Sequence, residues 1–113
     1  MKSKITSLSK NAEFKYLLSG KKISNKYSTI FFKKIANKNL NRLNISFVAK
    51  KKIGSAVKRN KIKRKLRSIT NEAVKKLPIK FDYSYLIIAK ESILNNEYSD
   101  IKKIMFAEFN KIR

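Results

Sequence analysis

The sequence has no cysteine and no histidine, two glycines, one proline, and only seven acidic residues in 113. Without cysteine it can form no disulfide and offers no thiolate nucleophile or ligand, which also fits a reducing compartment. Without histidine it lacks the commonest acid–base catalyst and a principal metal ligand. Two glycines cannot supply the spacing of a Walker A or dinucleotide-binding loop. No apolar run reaches bilayer-spanning length, and the N-terminal MKSKITSL has no apolar core of signal-peptide size. A cytoplasmic protein without a membrane partner is expected.

The shortage of acid has the largest consequence. The acidic residues are Glu13, Glu72, Asp82, Glu91, Glu97, Asp100 and Glu108, with none between Glu13 and Glu72. Against them stand 29 Lys and Arg, a net charge of +22. Such an excess cannot be neutralised within the chain, so a polyanion must relieve it. Nucleic acid is the default partner. A membrane-surface helix would need bulky apolar residues facing lipid.

High charge favours disorder, but the apolar residues, 42% of the chain, are clustered and periodic. One RNA-binding domain over residues 1–113 is expected, with 1–8 a loose basic tail. Ser9–Ser19 reads as a short helix, with Ser9 as N-cap and Gly20 ending it; Phe14, Leu17 and Leu18 share a face. Lys21–Lys26 holds at most a very short strand. Tyr27–Ile35 is β-rich, but both its faces, Ile30/Phe32 and Thr29/Phe31/Lys33, carry aromatics. Alternation alone does not say which faces the core. Ala36–Asn41 is a turn of hairpin length with three Asn. Arg42–Lys50 alternates, with Leu43, Ile45, Phe47 and Ala49 on one face.

A helix opens at Gly54 and Ser55 and runs to about Lys76, before Pro78. Phe81–Lys90 contains a buried-type strand at Tyr85–Ala89, which suggests a β-α-β crossover. Tyr98–Lys111 is a final helix with the stripe Ile101, Ile104, Met105, Phe109 and Ile112. These elements predict a two-layer α+β sandwich with helices against one sheet.

Lys50–Arg67 (KKKIGSAVKRNKIKRKLR) holds ten basic residues in eighteen and no acid. It is either a disordered arm or a helix with an anion-binding face, and helical geometry sorts it. With Arg59 at zero, Ile62, Leu66, Ile69 and Ala73 fall within about 280–340°. They form one docking stripe. Arg59, Lys63, Arg67 and Asn60 fall between about 0 and 100°, while Lys58, Lys61 and Lys65 lie on the other flank at about 200–260°. One edge therefore carries Arg forks and an Asn that can donate and accept. The other carries only point charges.

Lys51–Arg67 also resembles the signature of the protein subunit of bacterial ribonuclease P, K-K-x-G-x-A-V-x-R-N-x-[IV]-K-R-x-[IL]-R. The fixed positions are met by Lys51, Lys52, Gly54, Ala56, Val57, Arg59, Asn60, Ile62, Lys63, Arg64, Leu66 and Arg67. Glu13–Phe14 and the strand around Tyr85, Ile87, Ile88, Ala89 and Lys90 are similar to the family too. The resemblance implies the order α-β-β-β-α-β-α, one mixed sheet, a ribosomal-protein-like fold and a left-handed β-α-β crossover. It implies a non-catalytic protein subunit of a ribonucleoprotein endoribonuclease that matures the 5′ end of precursor tRNA. The chemistry would belong to a catalytic RNA and its Mg²⁺, with no cofactor held by the protein alone and one protein per RNA. Carried over, Lys51, Lys52, Arg59, Asn60, Lys63, Arg64 and Arg67 would face the catalytic RNA. Phe14, Leu18, Phe31 and Lys50 would line a cleft for the 5′ leader of precursor tRNA. The alternative for Phe14 and Phe31 is core or hydrophobic surface. A structural RNA-binding protein, such as a ribosomal component, fits the composition equally but leaves the motif unexplained. A DNA-binding regulator would need a helix-turn-helix that the pattern lacks.

Overall fold

The structure, a computed structural model, describes residues 5–6, 17–34, 43–77 and 83–112. Its strands are β1 (Ile5–Thr6), β2 (Lys21–Ser24), β3 (Ser28–Lys34), β4 (Leu43–Val48) and β5 (Tyr83–Ala89). Its helices are α1 (Ala56–Lys76) and α2 (Tyr98–Lys111), with 3-10 turns at Lys51–Ile53 and Glu91–Asn95. The five strands form one mixed sheet in the order β1-β4-β5-β3-β2. β1, β4 and β5 run parallel, and β3 is antiparallel to both β5 and β2. α1 links two adjacent parallel strands, which is the expected β-α-β crossover.

Both helices cover one face of this sheet. Ile30 and Phe32 of β3, Ile45 and Phe47 of β4, and Tyr85 and Ile87 of β5 form that face. The stripes Ile62, Leu66, Ile69, Ala73 and Ile101, Met105, Phe109 pack onto it. The question left open by β3 is thereby answered: Ile30 and Phe32 face the core, and Phe31 faces away. On α2, Ile104 sits at the edge of the stripe and is half-buried. The opposite face has its own small cluster, in which Leu17 and Leu86 are buried and Phe31, Val48 and Ile88 pack against them.

Three expectations change. The sequence suggests β3 and β4 as hairpin neighbours, but β5 lies between them. An apolar strand buried on both faces belongs at a sheet centre, flanked on each side, and that long-range preference outweighs chain proximity. The same burial extends the strand back to Tyr83. Where a loose tail is expected, Ile5 and Thr6 pair with Leu43 and Asn44. The outer edge of β4 has backbone groups that need partners, and a two-residue strand is too short to show any periodicity.

Of the helix expected at Ser9–Ser19, Leu17 and Leu18 are described and helical. Its earlier part, with Phe14, lies outside the described residues, as does the turn at Ala36–Asn41. Gly20 closes the helix by donating its N–H to the Leu17 carbonyl at 3.0 Å. A Cβ on Gly20 would stand 2.8 Å from the Phe32 carbonyl oxygen. This glycine permits a close approach to β3, which sets Leu17 on the sheet.

Candidate nucleic-acid interface

The basic segment folds as a turn and a helix joined at Gly54. Ile53 is buried and anchors the turn, while Lys50, Lys51 and Lys52 around it are exposed. Gly54 has φ 152°, in the region that favours glycine, and Ser55 accepts a hydrogen bond from the Lys58 N–H at 3.3 Å to cap α1. The 21-residue α1 has no acid in its first turn. Lys58, Arg59 and Lys61 instead stand at the positive end of the helix dipole, where cations are disfavoured. Local stability does not account for them. They raise the positive potential where the turn and the helix meet.

Around the helix, Asn60, Arg64 and Arg67 are exposed, while Arg59 and Lys63 are half-buried beside the docking stripe. The Arg59 Nε donates to the Gly54 carbonyl at 3.3 Å. The Arg67 guanidinium lies 5.9 Å from the Phe47 ring centroid, within cation–π range. Two of the three arginines on this edge are thus held from behind by the protein. Lys51 and Lys52, in the turn just before α1, are exposed as well.

The uncovered sheet face forms a second surface. Phe31 pairs with Leu86 on one side and with Lys22 on the other. It is half-buried, and the Lys22 Nζ lies 6.0 Å from its ring centroid. Leu17 packs on this face, while its neighbour Leu18 is 50% exposed at the helix end. At the far end, Thr29, Lys50, Lys52, Ile88, Lys90 and Glu91 help line an open hollow of about 390 Å³. Lys50 and Lys52 therefore join the sheet face to the basic edge. Phe31 and Lys50 share the sheet face, Leu18 stands exposed at its border, and Phe14 lies outside the described residues.

Lys90 is set in place by the β2–β3 turn. Its Nζ donates to the Asn25 carbonyl at 2.6 Å and to Ser24 Oγ at 2.9 Å. The Asn25 side chain in turn accepts from the N–H groups of Tyr27 and Ser28 at 2.7 and 2.9 Å. On the helical side, Tyr98 OH and Lys102 Nζ donate to the two Glu72 oxygens at 2.8 and 3.2 Å. Those bonds, Tyr98 first, hold the Glu72 carboxyl below the usual carboxylate range. Burial is the main cause that raises the Tyr98 hydroxyl.

The family model described as Ribonuclease P matches residues 2–113. The chain belongs to the ribonuclease P family. The "Ribonuclease P protein component" of Mesoplasma florum is 33% identical over 105 residues, covering 93% of this chain and 89% of that one. That of Fusobacterium nucleatum is 38% identical over 104 residues, covering 88% and 89%. Among solved structures, the ribonuclease P protein of Thermotoga maritima superposes with a TM-score of 0.81 at 20% identity, covering 96% and 98% of the two chains. That of Staphylococcus aureus gives 0.69 at 28% identity, covering 94% and 93%. The α+β fold is thus that of ribonuclease P proteins.

Three features of these surfaces lie outside the expected site residues. Lys22 joins Phe31 only through strand register. Lys90 matches the family strand pattern, but its position at the hollow depends on the β2–β3 turn. Val57, a fixed position of the motif, is 77% exposed at the start of α1 among basic neighbours. Its helical angle alone places it away from the docking stripe. In chemical terms the two surfaces can neutralise phosphates and stack a base. They are lined by lysine, arginine and hydroxyl groups, with Glu91 at the rim of the hollow.

Proposed function

We propose that this chain is the non-catalytic protein subunit of a ribonucleoprotein endonuclease that matures the 5′ end of precursor tRNA in the cytoplasm. The observation that carries this reading is the pair of surfaces meeting at Lys50–Lys52. Lys51, Lys52, Arg59, Asn60, Lys63, Arg64 and Arg67 form the edge for the catalytic RNA, with arginine forks suited to phosphate and guanine edges. The sheet face takes the single-stranded 5′ leader. Phe31 offers a ring for one base to stack on, and Lys22, Lys50 and Lys90 meet the phosphates. The family resemblance assigns Phe14 and Leu18 to the leader as well, with one protein serving one RNA.

The hydrolysis, and the Mg²⁺ it uses, belong to the RNA. Among the described residues, no group of three or more His, Cys, Asp or Glu comes together to hold a metal ion. The chain's own contribution is electrostatic and positional. It relieves repulsion between two RNAs and holds the leader at a fixed distance from the helix that grips the ribozyme.

The reading is tested by comparing affinity for precursor and mature tRNA. With the catalytic RNA present, adding the protein should tighten binding of the precursor far more than that of leaderless tRNA. Equal tightening of both, as expected of a purely structural RNA-binding protein, would rule out the leader site.

A further inference from the structure

A third basic feature lies on the helical layer, away from both surfaces assigned above. On α1, the flank turned from Arg59 and Lys63 carries Lys58, Lys61 and Lys65, and the same row continues to Ser68 and Glu72 within about 80° of arc. Ser68 Oγ lies 2.9 Å from the Tyr98 hydroxyl. Tyr98 and Lys102 both bond Glu72, at 2.8 and 3.2 Å. These contacts set the start of α2 beside Ser68 and Glu72, about one turn beyond Lys65, so that the row continues from one helix to the other.

The shoulder of α2 that meets it carries Ser99, Lys102, Lys103 and Phe106 within about 100°, with Asp100 on the far shoulder. These four line an open hollow of about 420 Å³. Phe106 is half-buried, its inner side packed against the core. The Lys102 Nζ stands 5.4 Å from its ring centroid and is tethered to Glu72. Glu72, the carboxylate within the row, is already paired. Lysines in a row, with an accessible ring at the end, are the parts of a sequence-tolerant single-strand site. A lone phenylalanine is too little apolar surface to seat a helix layer on a membrane.

We propose that this α1–α2 shoulder is a further RNA-binding surface. It takes a single-stranded ribonucleotide segment, with one base stacked at Phe106, a phosphate beside it on Lys103, and phosphates further along the strand on Lys65 and Lys61. The segment comes from the catalytic RNA or from the substrate; the chemistry recognised is the same.

The chain contains no tryptophan, so a Phe106→Trp variant reports on the site directly. Oligouridine of about ten nucleotides, added to this variant in a Phe31→Ala background, should quench the tryptophan emission saturably. In the same background, Phe106→Leu keeps the apolar packing and should weaken oligouridine binding about fivefold or more. Lys103→Gln should lower the slope of log affinity against log salt by about 0.7. No quenching, or a Lys103→Gln effect with Phe106→Leu unchanged, would overturn the proposal, since a diffuse lysine field needs no ring. Titrating Phe106→Trp with catalytic RNA alone and with precursor tRNA alone then identifies the source of the segment, and quenching by neither also overturns it. None of these readouts depends on 5′ cleavage, so this surface and the role in maturation stand or fall separately.

Discussion

The Arg59 side chain closes back on the turn before its own helix, its Nε donating to the Gly54 carbonyl at 3.3 Å. Gly54 itself sits at φ 152°, where a Cβ would also stand 2.9 Å from Lys58 Cδ. Gly54→Ala should therefore destabilise the fold by about 1–3 kcal/mol. It should also shift Lys51 and Lys52 relative to Arg59. Urea unfolding measures the first effect. Catalytic-RNA affinity, measured where the variant is fully folded, measures the second and should fall as well. An alanine variant with wild-type midpoint and affinity would show that the turn has no such constraint.

Arg59→Ala should weaken binding of the catalytic RNA and reduce the salt slope by about 0.9 for each phosphate that Arg59 neutralises. Arg59→Lys should restore most of the slope but not all of the affinity, because an ammonium lacks the planar fork. Filter binding across a salt series separates the two. A slope unchanged in Arg59→Ala would place Arg59 outside the interface.

Phe31→Leu keeps an apolar group against Leu17 and Leu86 but removes the ring. It should cost about 1–3 kcal/mol of affinity for leader-bearing precursor and leave binding of leaderless tRNA and of the catalytic RNA unchanged. Loss of catalytic-RNA binding instead would merge the two surfaces into one.

The Glu72 network gives a pH signature. Its carboxyl is held below the ordinary value by Tyr98 and Lys102. The stability this contributes is complete above about pH 4.3 and is lost as pH falls through the lowered pKa. The stability difference between the wild type and Glu72→Gln should therefore be largest near neutrality and shrink in acid. The Tyr98 hydroxyl is raised, chiefly by burial. Its contribution is complete below about pH 10 and is lost above it. Denaturant midpoints measured from pH 3 to 11 would show both limbs.

Much of this is legible in the residues. The spacing of Ile62, Leu66, Ile69 and Ala73 is enough to read α1 and its docked side, and the stripe from Ile101 to Ile112 reads α2 almost to its ends. The basic edge follows from the same angles. The sheet is less legible. Phe31 and Phe32 are equivalent until the helices choose Ile30 and Phe32, which is a tertiary event. The central place of β5 depends on pairing with strands far apart in sequence, and β1 is two residues seeking a free edge. Lys90 and Lys22 join the sheet-face site through register and one asparagine turn. The α1–α2 shoulder exists only once Ser68, Glu72, Tyr98 and Lys102 have set the two helices side by side.

The most direct measurement is the rate of 5′ cleavage of precursor tRNA by a catalytic RNA of this family at low Mg²⁺, with and without the protein. Added protein should raise the rate markedly, Arg59→Ala should need more protein for the same rate, and the protein alone should cleave nothing. A rate unchanged by saturating protein would contradict the central claim.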